Sequence, residues 1–368
     1  MPKFAFADAA RQRSQTVAAV PFAANGRVSI EMPRVGFASA VHLVLKGTIT
    51  RGAQDTGAFS ARMWNILQRV GFSLNLGANS VIDMSGFGLY CQNQTIARHF
   101  GPDLGGSIAA AATGQANGSL EMSPGVFRGT ATPAGVNMPF VMSWYLPIGQ
   151  NLGPNATVGL INLQAQEIRA SLDILFGNVA DLFVAGAVVA NTVLNAFTLT
   201  ASYIFFEVPN PANVLWPPLL SHRLLEEKQP FSNTGDITYT IPPQGTLQRW
   251  GHAVLLNNLM VQSGSAAGGD VTGLIVRVNK TDDFYRQTPE FAAYLARQRY
   301  GHSLPEGVFV HDMLAASQVV DAGVYRDTIN SEAIATLESI VTINPNAVLG
   351  VGNNFNETWR EIVQPLAY

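Results

Sequence analysis

Charge is scarce in this chain. Only 13% of its 368 residues are Asp, Glu, Lys or Arg, against the usual quarter or so. The net charge of −3 excludes a nucleic-acid binder that works through global basicity. Cysteine is nearly absent. Cys91 stands alone, which excludes a disulfide within the chain and any cysteine-based zinc cluster, and it reads as a buried, inert thiol. Long apolar runs are missing too: the most apolar stretch, Phe183 to Phe197, is interrupted by Asn191 and is too short to span a bilayer. The opening MPKFAFADAA has no continuous apolar segment, so no secretion signal is expected. The N-x-S/T sequons at Asn93, Asn117, Asn155, Asn279 and Asn356 then read as chance matches.

Catalytic signatures are lacking as well. His42, His99, His222, His252, His302 and His311 form no HExxH or HxH pair, so a zinc site is not expected. His311-Asp312 is the one His beside a carboxylate and reads as a surface ion pair. His42 and His252 lie inside apolar strands and read as satisfied core or interface histidines. Gly86-Phe87-Gly88 has no third glycine and reads as a turn. Glu226-Glu227 lie beside Arg223 and Lys228 in the expected linker, where nothing recommends them as a glycosidase pair, and Asp282-Asp283, lacking the DxDxDG calcium pattern, read as a solvated turn. The chain offers no catalytic, cofactor-binding or metal-ligating residue.

What is abundant is apolar surface and turns. Hydrophobic residues make up 47%, with 34 Gly and 20 Pro, which favours an all-β architecture. So few charges suit a protein that covers much of its outside with copies of itself. At the centre, Asn195 to Val208 sets Phe197, Leu199, Ala201, Tyr203 and Phe205 on one face, with Thr198, Thr200 and Ser202 on the other: a half-buried strand. PNPANVLWPP follows, and its prolines cannot donate to a ladder. Residues 209–228 are therefore expected to be a proline-rich linker between residues 21–208 and 229–368, each a β-domain.

The two halves repeat. Gly26, Pro33 and Gly36 bracket RVSIEM just as Gly235, Pro242 and Gly245 bracket DITYTI, 209 residues on. Apolar strands follow both, AVHLVLKGTIT from Ala40 and HAVLLNNLMV from His252. A short helix is predicted in each half, Ser60–Val70 ending at Gly71 and Thr288–Tyr300 ending at Gly301. INLQAQEIRASLDILFG from Ile161 parallels INSEAIATLESIVTINP from Ile329, and Phe355–Val363 closes the second half as Asn195–Val208 closes the first. QSGSAAGGD (Gln262–Asp270) reads as a flexible loop. The first half carries the longer insertion, including GGSIAAAATGQANGS (Gly105–Ser119), so residues near 85–140 are expected to form an exposed tower. Residues 1–20 are expected as an N-terminal arm with a short helix over Ala5–Val20, by default a frayed solvated terminus and, on the sharper reading, a basic arm whose Lys3, Arg11 and Arg13 touch a membrane surface or anionic interior. Strand, helix, strand, long loop and strand, given twice, predict two tandem eight-stranded jelly rolls with short helices.

SWYLPIGQNLGPNATVGLINLQAQEIRASLDILFGN (Ser143–Asn178), AVHLVLKGTIT and the crossing at Pro209–Pro218 together resemble the major capsid proteins of tailless icosahedral, membrane-containing bacteriophages, the tectivirus-like lineage. The resemblance implies a double jelly roll, self-assembly as a homotrimer of pseudo-hexagonal outline into an icosahedral virion shell over an internal membrane, and synthesis in the host cytoplasm. It implies no enzyme activity and no cofactor. Its partners would be other copies, penton and minor capsid proteins, and the membrane through the N-terminal arm, without sequence-specific nucleic-acid binding. A trimeric vertex or receptor-binding protein is the alternative within such viruses. A carbohydrate-binding or carbohydrate-active β-sandwich is the alternative outside them; it would need paired carboxylates and stacked aromatics, against which Trp64, Trp144, Trp216, Trp250 and Trp359 are dispersed.

Overall fold

The structure, a computed structural model, describes residues 4–52, 55, 63–75, 77, 79–95, 137–151, 157–183, 187–209, 212, 214–216, 220–256, 259–260, 269–301, 304–305, 307–313, 328–350 and 354–365. Sixteen strands carry it. The first eight are β1 (Arg11–Pro21), β2 (Arg27–Glu31), β3 (Phe37–Thr50), β4 (Leu67–Leu74), β5 (Asn79–Met84), β6 (Asn137–Pro147), β7 (Ala170–Phe176) and β8 (Val193–Glu207). The second eight are β9 (Leu220–Pro230), β10 (Gly235–Thr240), β11 (Thr246–Leu256), β12 (Val271–Val278), β13 (Asp282–Gln287), β14 (Val308–Asp312), β15 (Leu337–Ile343) and β16 (Phe355–Pro365). Helix α1 (Gly86–Asn93) follows β5, and helix α2 (Pro289–Tyr300) follows β13.

Each strand of the first set has its counterpart eight places later. One sheet of the first barrel runs β6-β3-β8-β1 and the other β2-β7-β4-β5; the second barrel runs β14-β11-β16-β9 and β10-β15-β12-β13. Two four-stranded sheets in this order are a jelly roll, built twice. The repeated Gly-Pro-Gly spacing has a backbone cause. Gly36 and Gly245 both turn the chain from the second strand into the third at φ 62° and 60°, a left-handed conformation that disfavours any side chain. The short strands at Ile161–Asn162 and Ile329–Asn330 also correspond, pairing the starts of β3 and β11 respectively.

Alternation builds the core. Along β7, buried and half-buried residues strictly alternate, and Leu172, Ile174 and Phe176 pack inward with Leu43, Leu45, Phe72, Trp144 and Tyr203. Each such side chain contributes about 1.5–3 kcal/mol when fully buried. β11 is buried on nearly every residue, because it lies inside a ten-stranded sheet whose two faces are both covered.

Several expectations are corrected. Ala5–Val20 is not a helix: one helical turn, Phe6–Ala9, precedes β1, which pairs along β8 from Pro21 to Arg11. Alanine-rich sequence yields here to a full strand ladder. Of the helix expected over Ser60–Val70, residues 60–62 lie outside the described residues, Met63–Ile66 forms a 3-10 turn and β4 starts at Leu67, with Gly71 inside it. The helix that matches Thr288–Tyr300 is α1, in residues read as a turn and the start of a tower. Of that tower, residues 96–136 lie outside the described residues, while Asn137 opens β6. The Gln262–Asp270 loop reading likewise falls largely outside them. The linker expectation fails from Leu220 onward, where β9 begins. Thr288–Tyr300 stands as expected, capped by Thr288 and ended by Gly301 in the left-handed conformation.

Candidate functional site at the joint between the two barrels

The barrels are joined by backbone. The outer edge of β5 pairs in parallel with β9, Leu224 opposite Ile82 and Leu225 opposite Asp83. This pairing fuses the second sheet of the first barrel to the first sheet of the second, giving the ten-stranded sheet. The apolar core follows across: Leu224, Ala253, Leu255, Val308 and Trp359 belong to the same buried cluster as Val70, Ile82 and Phe87. Pro209 precedes the joint and Pro211, Pro217 and Pro218 lie outside the described residues, so the described contacts between the barrels are those of sheet and core.

Helix α1 lies beneath this joint, and all eight of its residues are buried. A helix covered on every side has to be free of charge, and GFGLYCQN is. The glycines answer close approach: a Cβ on Gly86 would collide with Trp64 O, and one on Gly88 with the Glu226 carboxylate. Trp64 stacks on Tyr90 at 4.1 Å, and Trp144 donates its indole N–H to Gly86 O at 2.9 Å. Glu226, from β9 of the other barrel, sits on the helix N-terminus. It accepts from Ser85 N–H and from Ser85 Oγ at 2.9 Å, while Ser85 Oγ accepts from Gly88 N–H at 2.9 Å. A carboxylate at this end of a helix also meets the positive end of its dipole. Arg223 Nε adds a bond to Ser80 O at 2.7 Å.

A second polar group centres on Glu361, on β16. Its carboxylate accepts from Arg249 Nη1 at 2.8 Å, from His222 Nε2 at 2.8 Å and from Gln150 Nε2 at 2.7 Å. His222 Nδ1 lies 3.1 Å from Pro147 O. Gln150 and Pro147 belong to the first barrel, His222, Arg249 and Glu361 to the second, so the network spans the joint. Burial pushes the Glu361 carboxyl up, but Arg249 and the two hydrogen bonds outweigh it and hold the group at about 2. Arg249 is held well above its ordinary value; burial opposes this, and Glu361 and Asp312 prevail. Asp312 accepts from Arg249 Nε at 3.2 Å and Tyr300 OH at 2.8 Å. Removing one member of such a set leaves a buried charge without its partner, so the set is all-or-none.

The residues singled out from sequence fall as follows. His311 and Asp312 are both buried, which corrects the surface ion pair; burial, His252 and Arg299 push His311 down to about 3. His252 is satisfied, receiving Trp250 Nε1 at 2.9 Å and lying 2.7 Å from Ser339 Oγ, and burial lowers it to about 4. Burial lowers His42. His99 and His302 lie outside the described residues. Cys91 is buried, and burial pushes its thiol well up. Gly86-Phe87-Gly88 opens a helix where a turn was expected. Glu226 and Glu227 are strand residues and not linker, Glu226 half-buried against α1 and Glu227 exposed and paired with Arg360 at 3.1 Å. Asp283 lies in β13 between Arg277 at 2.8 Å and Arg286 at 2.6 Å, which corrects the solvated turn. Arg11 and Arg13 are exposed on β1, Arg13 paired with Glu207 at 3.2 Å, and Lys3 lies outside the described residues. Among the described residues no group of three or more His, Cys, Asp or Glu side chains is placed to hold a metal ion. The Glu361 set and the Ser85–Glu226 cap were missed. Their signal is charge inside an apolar strand: TWREIV closes the second half where TASYIF closes the first.

Two jelly rolls of matching strand order standing side by side make a double jelly roll. The chain superposes on the major capsid protein of Sulfolobus turreted icosahedral virus with a TM-score of 0.66 at 14% identity, covering 96% of each chain. It matches a chain of the PBCV-1 virus capsid at 0.61 and 11% identity, covering 99% of this chain and 95% of that one. Against the major capsid protein of bacteriophage PM2 the values are 0.51 and 11%, covering 97% and 98%. No protein-family model matches the sequence, and no curated protein does. At these identities the likeness is one of fold, and the fold is that of double jelly-roll major capsid proteins.

Proposed function

We propose that this chain is a major capsid protein, forming homotrimers of pseudo-hexagonal outline that tile an icosahedral virion shell. The observation that carries this is the repeat: strand for strand, the second barrel copies the first, and β5–β9 pairing holds the two side by side in one sheet. Two similar barrels per chain let three chains present six similar sides, and a hexagonal tile packs a shell. The sparse charge fits large covered surfaces between copies. Full-length structural neighbours that are capsid proteins support the reading. Penton and minor capsid proteins, and an internal membrane under the N-terminal residues, are the further partners it calls for. The fold is shared by viruses of several kinds and does not by itself single out a bacteriophage. The carbohydrate reading is weakened, since Trp64, Trp144, Trp250 and Trp359 are buried and Trp216 alone of the five tryptophans is exposed. Negative-stain microscopy of the purified chain tests the proposal: six-sided, three-lobed particles are expected, and irregular single-chain globules would contradict it.

A further inference from the structure

The joint inside the chain uses one edge from each barrel and leaves the equivalent edge of each barrel open. β5 has β13 as its counterpart, and β9 has β1. β13 ends its sheet, β1 ends its own, and among the described residues no strand pairs the outer side of either. We propose that β13 and α2 of one copy receive β1 of a second copy, repeating between chains the joint that β5 and α1 make with β9 within one. This rests on the homotrimer reading and names its contact surface.

Three observations carry it. First, β1 and β9 correspond: both have eleven residues and both end in proline, 209 residues apart, and with one extra residue at the Val17 bulge of β1, Gln15 takes the place of Leu225. Residues Arg11 to Thr16 are all exposed, an open template for another strand. Second, α1 is wholly buried, whereas α2 presents Phe291 and Tyr294 at 49% and 56% exposure, with Phe284 of β13 at 47%. Phe291 and Tyr294 stack at 6.5 Å. The exposed aromatics thus lie where the first barrel is covered.

Third, the chemistry changes on both sides together. Gly88 stands three residues after the cap Ser85 and abuts Glu226. Three residues after the cap Thr288 stands Phe291, and because β1 carries one extra residue at a bulge, Val17, the place of Glu226 on β1 belongs to Thr16. A glycine against a carboxylate becomes a phenylalanine against a threonine. Thr288 Oγ1 accepts from Phe291 N–H just as Ser85 Oγ accepts from Gly88 N–H, so the cap is common to both helices and the carboxylate is not. A head-to-tail contact of this kind closes into a ring when the rotation fits. Three copies then contain six equal joints, three within chains and three between them.

Cross-linking tests the surface. Ser85 and Thr288 align Asp83 with Arg286, so the in-chain pair Leu225–Asp83 predicts Gln15, next to Thr16, opposite Arg286 in a neighbouring copy. The full chain carrying Arg286→Cys with either Thr16→Cys or Gln15→Cys should, on oxidation, give covalent dimers and trimers on a non-reducing denaturing gel, and the single substitutions should not. Separately, Phe291→Asp with Tyr294→Asp should raise the concentration at which the trimer half-dissociates about a hundredfold. A trimer by sedimentation that neither cross-links nor weakens overturns the surface and leaves the trimer standing. A parent chain that sediments as a monomer overturns the trimer itself, and the surface with it.

Discussion

Helices α1 and α2 occupy the same place in the repeat, each directly after the fifth strand of its barrel, and they differ in almost everything else. α1 is uncharged and buried throughout, with a carboxylate from the other barrel on its N-terminus. α2 carries Glu290, Arg297 and Arg299, caps itself with Thr288 and turns two aromatic rings to solvent. The difference shows what covering demands of a helix. The covered helix carries no charge and has glycine where its neighbour comes close. The open one carries charge and exposes two aromatic rings.

The deepest break in this contrast is removal of Glu361. Glu361→Ala should cost about 2–4 kcal/mol in urea unfolding, because Arg249, its side chain only 15% exposed, is left without one of its partners; a loss under about 1 kcal/mol would mean the network does not lock the joint. Acid attacks the same region. His252 and His311 stay neutral in the fold down to about 4 and about 3, and Glu361 stays ionised down to about 2. The unfolded chain takes up those protons earlier, near about 6.5 for His and about 4.3 for Glu. It therefore binds more protons over that interval, and stability should fall as pH drops from about 6.5 toward 2. The urea midpoint followed against pH checks this, and His311→Asn should flatten the upper part of the fall.

The helices themselves can be set against each other. Gly88→Ala should destabilise the chain by about 1–3 kcal/mol, since its methyl meets the Glu226 carboxylate. Phe291→Ala, its equivalent, should leave the stability of the unassembled chain within about 0.5 kcal/mol. Equal effects in thermal melts would erase the distinction between covered and open. The smallest effect belongs to the edge strand: a double-mutant cycle on Arg13 and Glu207, both more than half exposed, should give a coupling of about 0–1 kcal/mol.

The duplication was legible because turns leave fixed marks. Gly36 and Gly245 recur at one spacing since both sit where the backbone requires positive φ. Strands with one buried face, such as β7 and β8, showed themselves by alternation. Segments whose partners are remote did not. SARMWNILQRV has a cap, apolar spacing and a closing glycine, yet β5 and β7 draw its second half into a ladder. LSHRLLEEKQP reads as charged linker, because nothing local shows that Glu226 lies against a helix from the other barrel or that His222 meets Glu361. Long-range pairing decided both.

The account stands on one unit folded twice and joined by its edges so that three chains complete a ring. Native mass spectrometry of the intact purified chain measures that directly. The account predicts a dominant species of three chains, stable on dilution into the micromolar range. A monomer, or an even-numbered assembly, would contradict it.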